Sequence, residues 1–491
     1  MTKLYFLLIN LFFIVILSPA HPALAVEEAP LLTVYSGVIG RDVSQPDFLD
    51  DLIALNPLYY FANPFHSQSV LTTTRIQEIH SQLPRTQIIR HLTCCSLFNQ
   101  KKLDSPIAQI NFSTQNTQAE FDDAWANHRD AFMKNSRGEY VYHQNEPNGE
   151  MWVNPEQGYL LDPASSFYKE FLYDKIKEHI LTSGYDGVYL DLMYPVFMNT
   201  FYYSVPAINS HPITDQQWRD KLISLNRYLQ NRRQNDPNPK MRNALIITNS
   251  VGGGPGDSND PIDRVQFNRD LQTQGVQIEN PFYNFATMSH NNWLAKVNQI
   301  RDISSLRNNR MTGWLNYHHA DKMDDQAQCD QHSLFAYTSY LLGNNSPNFA
   351  FYFLCKIQED NRVRRIHASE KLTRISLGTP SSAYQQLASG LYVREYTHGF
   401  AIVNPTSSAL NYKPNTNLYN AYSSTTYPQN INLTLSAKTG LVLLKNAPST
   451  LPADFNSDGT VNLLDYNLLK TGFGTTYNLL DYNTLRSQWG Q

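Results

Sequence analysis

Charge of one sign is not in excess in this 491-residue chain: 39 Lys and Arg stand against 43 Asp and Glu, a formal net charge of -4. Binding a phosphate backbone calls for a strongly basic surface, so nucleic acid is not an expected partner. Charged residues are sparse overall, at 17%, while aromatics reach 12% with 30 Tyr. Disordered chains and coiled coils show the opposite balance. Cysteine is scarce too. Cys94, Cys95, Cys329 and Cys355 are the only four, so a chain of this length has to rest on a buried core rather than on disulfide staples. Adjacent Cys94 and Cys95 are poorly placed to bond each other; a Cys329–Cys355 disulfide and buried free thiols both remain open. Two signature motifs are also missing. The glycine cluster Val251 to Gly256 lacks the Gly-Lys-Ser/Thr ending of a phosphate loop and reads as a loop over a cleft. His318-His319 lack the His-Glu-x-x-His spacing of a catalytic zinc site.

Long apolar runs are absent beyond the N-terminus. Lys3 precedes an apolar run from Leu4 to Leu17, shorter than the roughly 20 residues that span a bilayer and interrupted by Asn10. Pro19 and Pro22 follow, then Ala23-Leu24-Ala25, small residues flanking one position. That order is the signature of an export signal. Residues 1–25 are expected to be removed near Ala25, leaving a mature chain with no membrane span, secreted or periplasmic.

From residue 31 to 374, short apolar runs alternate with amphipathic stretches. The runs are Leu32–Ile39, Leu58–Ala62, Gln87–Thr93, Gly187–Leu192, Ala244–Thr248, Gly275–Ile278, Met311–Asn316 and Phe349–Leu354. Helical patterns lie between them, at Phe167–Leu181, Asp215–Gln234, Asn291–Leu306 and Gln326–Leu342. Strand followed by covering helix, repeated in this way, predicts an α/β fold, a (β/α)8 TIM barrel. The long Glu120–Leu161 stretch, with its Arg137-Gly138-Glu139 turn, is expected to add a helix and a small hairpin over the barrel mouth. Over 375–446 helical periodicity gives way to short alternating runs, a small antiparallel β domain. A Pro-containing linker, 447–452, leads to a last module, 453–491.

That module opens on a calcium-loop pattern. Asp454, Asn456, Asp458, Asn462 and Asp465 supply oxygens at loop positions 1, 3, 5, 9 and 12, with Gly459 at 6 and the Thr460 carbonyl at 7. A hard cation needs about six to eight oxygens in one tight loop, so Ca2+ is the expected ligand, structural and not catalytic. Asn478 to Asn483 repeats Asn462 to Asn467 residue for residue. Asp at position 12 and this twofold repeat resemble a dockerin, and the resemblance implies a cohesin-like partner. The second repeat has Gly474-Thr475-Thr476-Tyr477 where its acidic half would stand, so one ion is expected and the module is truncated. A stabilising cap within the chain is the other reading.

The most informative stretch is Asp186-Gly187-Val188-Tyr189-Leu190-Asp191. An Asp closing an apolar strand is costly to bury without partners, and strand C-termini carry the chemistry of such barrels. Glu279 closes a second strand, in Gln277-Ile278-Glu279-Asn280-Pro281. Two carboxylates at one rim are what glycosidic cleavage requires, one ionised opposite the anomeric carbon and one protonated beside the leaving oxygen. The chain resembles the endo-α-1,4-polygalactosaminidase family and related hypothetical glycosyl hydrolases, which carry an Asp-Gly-Val-Tyr-Leu-Asp strand. The resemblance implies a glycoside hydrolase acting on a polysaccharide with Asp191 and Glu279 as its catalytic pair. By analogy with retaining enzymes Asp191 would be the nucleophile and Glu279 the acid and base; a carboxylate separation of about 5–5.5 Å would favour retention and about 6.5–9.5 Å inversion. Arg90 and His91, Asn249, and Trp314, Asn316 and His318 are further strand-end candidates for holding sugar hydroxyls. The alternative from another class is a carbohydrate-binding or surface-assembly protein without catalysis, which keeps the barrel and the calcium module.

Overall fold

The structure, a computed structural model, describes residues 33–35, 48–49, 52, 57–62, 71–103, 115–143, 157–197, 202–251, 264–279, 281–282, 286–319, 326–355, 372, 375, 377–447, 461, 463–472 and 479–489. The proposed signal peptide, the Gly252–Gly256 cluster, all of the linker but its first residue, and the calcium candidates Asp454, Asn456, Asp458, Thr460 and Asn462 lie outside them.

Eight parallel strands form one sheet in chain order: β1 Thr33–Tyr35, β2 Tyr59–Ala62, β3 Gln87–Thr93, β4 Gly187–Asp191, β5 Leu245–Val251, β6 Gly275–Glu279, β7 Thr312–His319 and β8 Phe349–Cys355. All seven neighbouring pairs are parallel. Residues of β1 and β8 come within 8 Å, Cα to Cα, so the sheet nearly closes on itself. This is the TIM-like arrangement that the alternating runs anticipated. Helices α1 Thr73–Gln82, α2 Gln118–Asn127, α3 Ser166–Glu178, α4 Asp215–Gln234, α5 Arg264–Leu271, α6 His290–Ser304 and α7 Gln326–Gly343 accompany it.

Strand periodicity decides which side chains face the barrel axis. Tyr59, Phe61, Ile89, Tyr189, Ile247, Trp314 and Ala350 share one buried cluster, the barrel interior. Their neighbours Tyr60, Ile88, Val188 and Ile246 belong to a different cluster, packed with Leu222 and Leu225 of α4. Two residues beyond Tyr189 and Ile247 on the same inward face stand Asp191 and Asn249. The α4 helix shows why the outer layer holds. Thr214 and Gln217 form a capping box at its start, and Trp218, Leu222, Leu225 and Leu229 recur on one buried stripe.

The described residues of the Glu120–Leu161 insertion form a helix and hairpin bridges. Bridges Phe132–Leu161, Lys134–Tyr140 and Tyr142–Tyr159 fasten it, and Ser96–Phe98 pairs antiparallel with Gly158–Leu160. Trp125 packs its ring within 4.9 Å of Tyr140 and 5.1 Å of both Phe132 and Tyr159. Beyond residue 375 the strands are antiparallel, in a six-stranded sheet and a smaller pair. Asn404, fully buried, gives its amide to the carbonyls of Ser408, Leu435 and Ser436 and locks one of its turns. Cys94 and Cys95 are free and buried, whereas Cys329 is disulfide-bonded.

Two histidines, His143 buried and His179 half-buried, are held as neutral rings. His143 meets Ser96 Oγ at 2.5 Å and stacks on Phe98; burial pulls it down to about 3. Burial, with Arg90 and Lys175 nearby, does the same to His179. An unfolded His takes up its proton near 6.5, so between about pH 6.5 and 3 the unfolded chain binds protons that the folded chain refuses. Each ring therefore lowers stability as pH falls, by about 2 kcal/mol at pH 5. In urea titrations at pH 7 and pH 5, His143→Gln is expected to lose about 2 kcal/mol less than the parent on acidification; equal losses would show that the folded ring titrates normally.

Candidate active site

Asp191 and Glu279 end β4 and β6, two strands apart, with β5 between them. The strand in the middle joins them. Between the pairs Val276–Thr248 and Ile278–Val251 the register shifts, because β5 spends Asn249 and Ser250 where β6 spends only Gln277. An extra residue of this kind re-aims a side chain at the rim. Asn249, only 2% exposed, sends Nδ2 to Asp191 Oδ1 at 2.9 Å and to Glu279 Oε2 at 3.0 Å. One nitrogen in reach of both acids limits those two oxygens to a separation under about 6 Å, which is within the span of a glycosidase pair.

Asp191 is heavily provided with donors. Oδ1 also receives the Leu192 N–H at 2.9 Å and the Tyr189 hydroxyl at 3.3 Å, and Oδ2 lies 3.3 Å from His91 Nε2. Burial pushes its carboxyl upward, but the donors from His91, Asn249 and Leu192 outweigh that and hold it below the usual carboxylate value. Sequence reasoning missed the next residue of importance, Tyr194. Its hydroxyl donates to Glu279 Oε2 at 3.1 Å and accepts from Asn249 Nδ2 at 2.8 Å. Burial, together with the charges of Glu279 and Asp191, raises this phenol well above its ordinary value, so it stays a neutral donor.

The remaining candidates divide by strand parity. His91 points inward and touches Asp191, its ring edge-on to Phe61. Arg90, the next residue, points the other way. It is buried, 1% exposed, beside Tyr185 and close enough to His179 to depress it, behind the strand and away from the two acids. Trp314 faces inward but is fully buried, its Nε1 bonded to Gln277 Oε1 at 3.0 Å and its ring packed on Tyr59, Phe61 and Tyr189. It is a floor residue with no face open to a sugar. Asn316 aligns with Glu279 across the β6–β7 ladder; its side chain and that of His318 lie outside the described ones. Asp186 immediately precedes β4 and stitches it to its surroundings, accepting from the Ile88 N–H at 2.8 Å and pairing with His80 at 3.1 Å. Asp162 caps the approach to α3 and pairs with Lys221.

The profile of hypothetical glycosyl hydrolase family 15 matches residues 105–400, more than half of the chain. The chain belongs to this family. It is therefore a glycoside hydrolase, and the matched region holds both acids. No curated protein sequence matches the hydrolase. Among solved structures, a noncanonic maltogenic α-amylase from Thermotoga neapolitana is 9% identical, with a TM-score of 0.50 over 85% of this chain and 98% of that one. That likeness shows the fold alone. Amy13B of Eubacterium rectale is 10% identical, with a TM-score of 0.49 over 86% and 96%. A Flavobacterium johnsoniae GH31 dextranase, complexed with glucose, is 10% identical with a TM-score of 0.45; the match takes in 85% of the hydrolase and 52% of the dextranase.

Asn249→Leu removes the shared amide while keeping bulk. Hydrogen bonds to charged groups contribute about 1.5–3 kcal/mol each, so a loss of about 2–3 kcal/mol at pH 7 is expected in urea denaturation. The carboxyl of Asp191 is depressed in the fold, hence this stabilisation is present above about pH 4 and fades as pH drops through the folded value. A deficit that stays constant down to pH 3 would mean that Asn249 acts by packing alone.

Proposed function

We propose that the hydrolase cleaves the glycosidic bonds of a polysaccharide with retention of anomeric configuration, Asp191 serving as nucleophile and Glu279 as acid and base. The single observation that carries this reading is the Asn249 amide within hydrogen-bond reach of both acids. A separation under about 6 Å between these two oxygens is in keeping with the roughly 5–5.5 Å of retaining pairs and short of the about 6.5–9.5 Å of inverting pairs. Asp191 is the better nucleophile because its donors keep it ionised. Its carboxylate attacks the anomeric carbon as the glycosidic C–O bond breaks, and Glu279 gives its proton to the departing oxygen. Glu279 then takes a proton from water, whose oxygen displaces Asp191 and restores both carboxyls. His91, inward-facing and bonded to Asp191, holds the nucleophile in line. The domain limits read from the sequence, 31–374 for the barrel and 375–446 for the β domain, form part of this proposal.

Glu279→Gln is expected to cut reducing-end release from a polysaccharide panel by about 10²–10⁴-fold, and Asp191→Asn by at least as much, each with an unchanged circular dichroism spectrum. Parental activity in both variants would remove the pair from the chemistry.

Export and the calcium loop are part of the same proposal: a secreted or periplasmic enzyme whose C-terminal module holds one Ca2+ through Asp454, Asn456, Asp458, Thr460, Asn462 and Asp465, and meets a cohesin-like partner. The loop spacing supports it, and Asp465, at the start of the Leu463–Gly472 helix, is fully buried, as a ligand at position 12 should be. Chelation of calcium is expected to lower the melting temperature of the parent and to leave Asp454→Ala/Asp458→Ala unmoved. A parental melt indifferent to chelator would rule the ion out.

A further inference from the structure

Tyr194 is reached by an unusual piece of backbone. Leu192, immediately after Asp191, has φ +60°, the left-handed region that a branched side chain enters only at a cost of about 1–2 kcal/mol. The turn is over-determined by its neighbours. The Leu192 N–H bonds back to Asp191 Oδ1, the Asp191 carbonyl accepts the Cys94 N–H at 3.1 Å, Met193 is fully buried, and Trp218 Nε1 of α4 holds the Tyr194 carbonyl at 3.1 Å. A strained turn fixed from three sides delivers one hydroxyl to one carboxylate oxygen.

Donor counting on that oxygen is decisive. The Asn249 amide has two hydrogens for three acceptors. One serves Asp191, and the other is shared between Tyr194 Oη and Glu279 Oε2, which are 2.8 and 3.0 Å from the nitrogen. Tyr194 gives its own hydrogen to the same Oε2 at 3.1 Å. Oε2 thus faces two donors and has no place for a proton of its own. We propose that Tyr194 is a positioning residue that reserves Glu279 Oε2 as a permanent acceptor, so that Oε1 alone carries the proton exchanged with substrate. The proposal rests on the reading of Glu279 as acid and base. The groups facing Glu279 include Tyr194 and Asp191 from β4 and its loop and Asn249 from β5, with His91 of β3 behind Asp191. Asp191 favours the protonated form by its charge, and Tyr194 and Asn249 favour the ionised form as donors. Tyr194 thereby sets how readily the acid gives its proton up.

The test needs no substrate. Glutamate carboxyl carbons labelled with 13C are titrated by NMR in the full chain, and the Glu279 signal is assigned by its absence from Glu279→Gln. Tyr194→Phe keeps the ring and the turn and removes only the donor. The Glu279 midpoint is expected to rise by about one pH unit. An unmoved or lowered midpoint in a folded Tyr194→Phe overturns the inference. Should that variant not fold, Trp218→Phe, which lets go of the Tyr194 carbonyl, is measured in its place: withdrawal of Tyr194 raises the midpoint, and no rise overturns the inference. Full sugar release by Glu279→Gln, by contrast, would overturn the hydrolytic pair while leaving the titration result intact, so the two failures are told apart.

Discussion

Everything at the barrel mouth depends on one amide nitrogen standing between two acids. Two carboxylates under about 6 Å apart repel by roughly 3 kcal/mol at an effective dielectric constant near 20, and each resists losing water. Left alone, one of them would take up a proton or turn away. Asn249 supplies a donor to both, Tyr194 adds a second to Glu279, and His91, Tyr189 and the Leu192 N–H complete the surroundings of Asp191. The asymmetry matters. Asp191 gathers more donors and is held below the usual carboxylate value, so two chemically similar groups sit in different environments.

The barrel makes that asymmetry affordable in geometric terms. Below the acids the interior is a dry aromatic plug of Tyr59, Phe61, Tyr189 and Trp314, whose polar atoms are used up among themselves and their neighbours. Trp314 bonds Gln277, and Tyr59 bonds the Asn348 carbonyl. Polar side chains gather where the strands end and the plug stops, at Asp191, Asn249 and Glu279. Outside, α4 holds the loop after β4 through Trp218 Nε1 on the Tyr194 carbonyl and Arg219 on the Pro195 carbonyl.

Much of this was written in the residue pattern. Apolar runs marked the strands to within a few residues, and the β3 run, Gln87–Thr93, matches the observed strand end to end. The acids at the ends of β4 and β6 stood out because a carboxylate closing a buried strand demands partners. Arg90 and His91 show the limit. Both lie near one strand end, and alternation guarantees that they face opposite ways, but only the closed sheet reveals that His91 has the axis and Arg90 the helical layer. Trp314 has the right parity and the wrong depth.

The linear chain by itself determined the α/β alternation and the glycosyl hydrolase family, and it singled out two strand-end acids, since hydrophobic period and strand-end carboxylates are local features. Only the tertiary structure decided what holds the acids. The extra residue in β5 at Asn249, the left-handed turn at Leu192 and the reach of Tyr194 to Glu279 join positions from three strands. A register shift exists only between two paired strands, and a hydrogen bond only between atoms that folding has brought within about 3 Å.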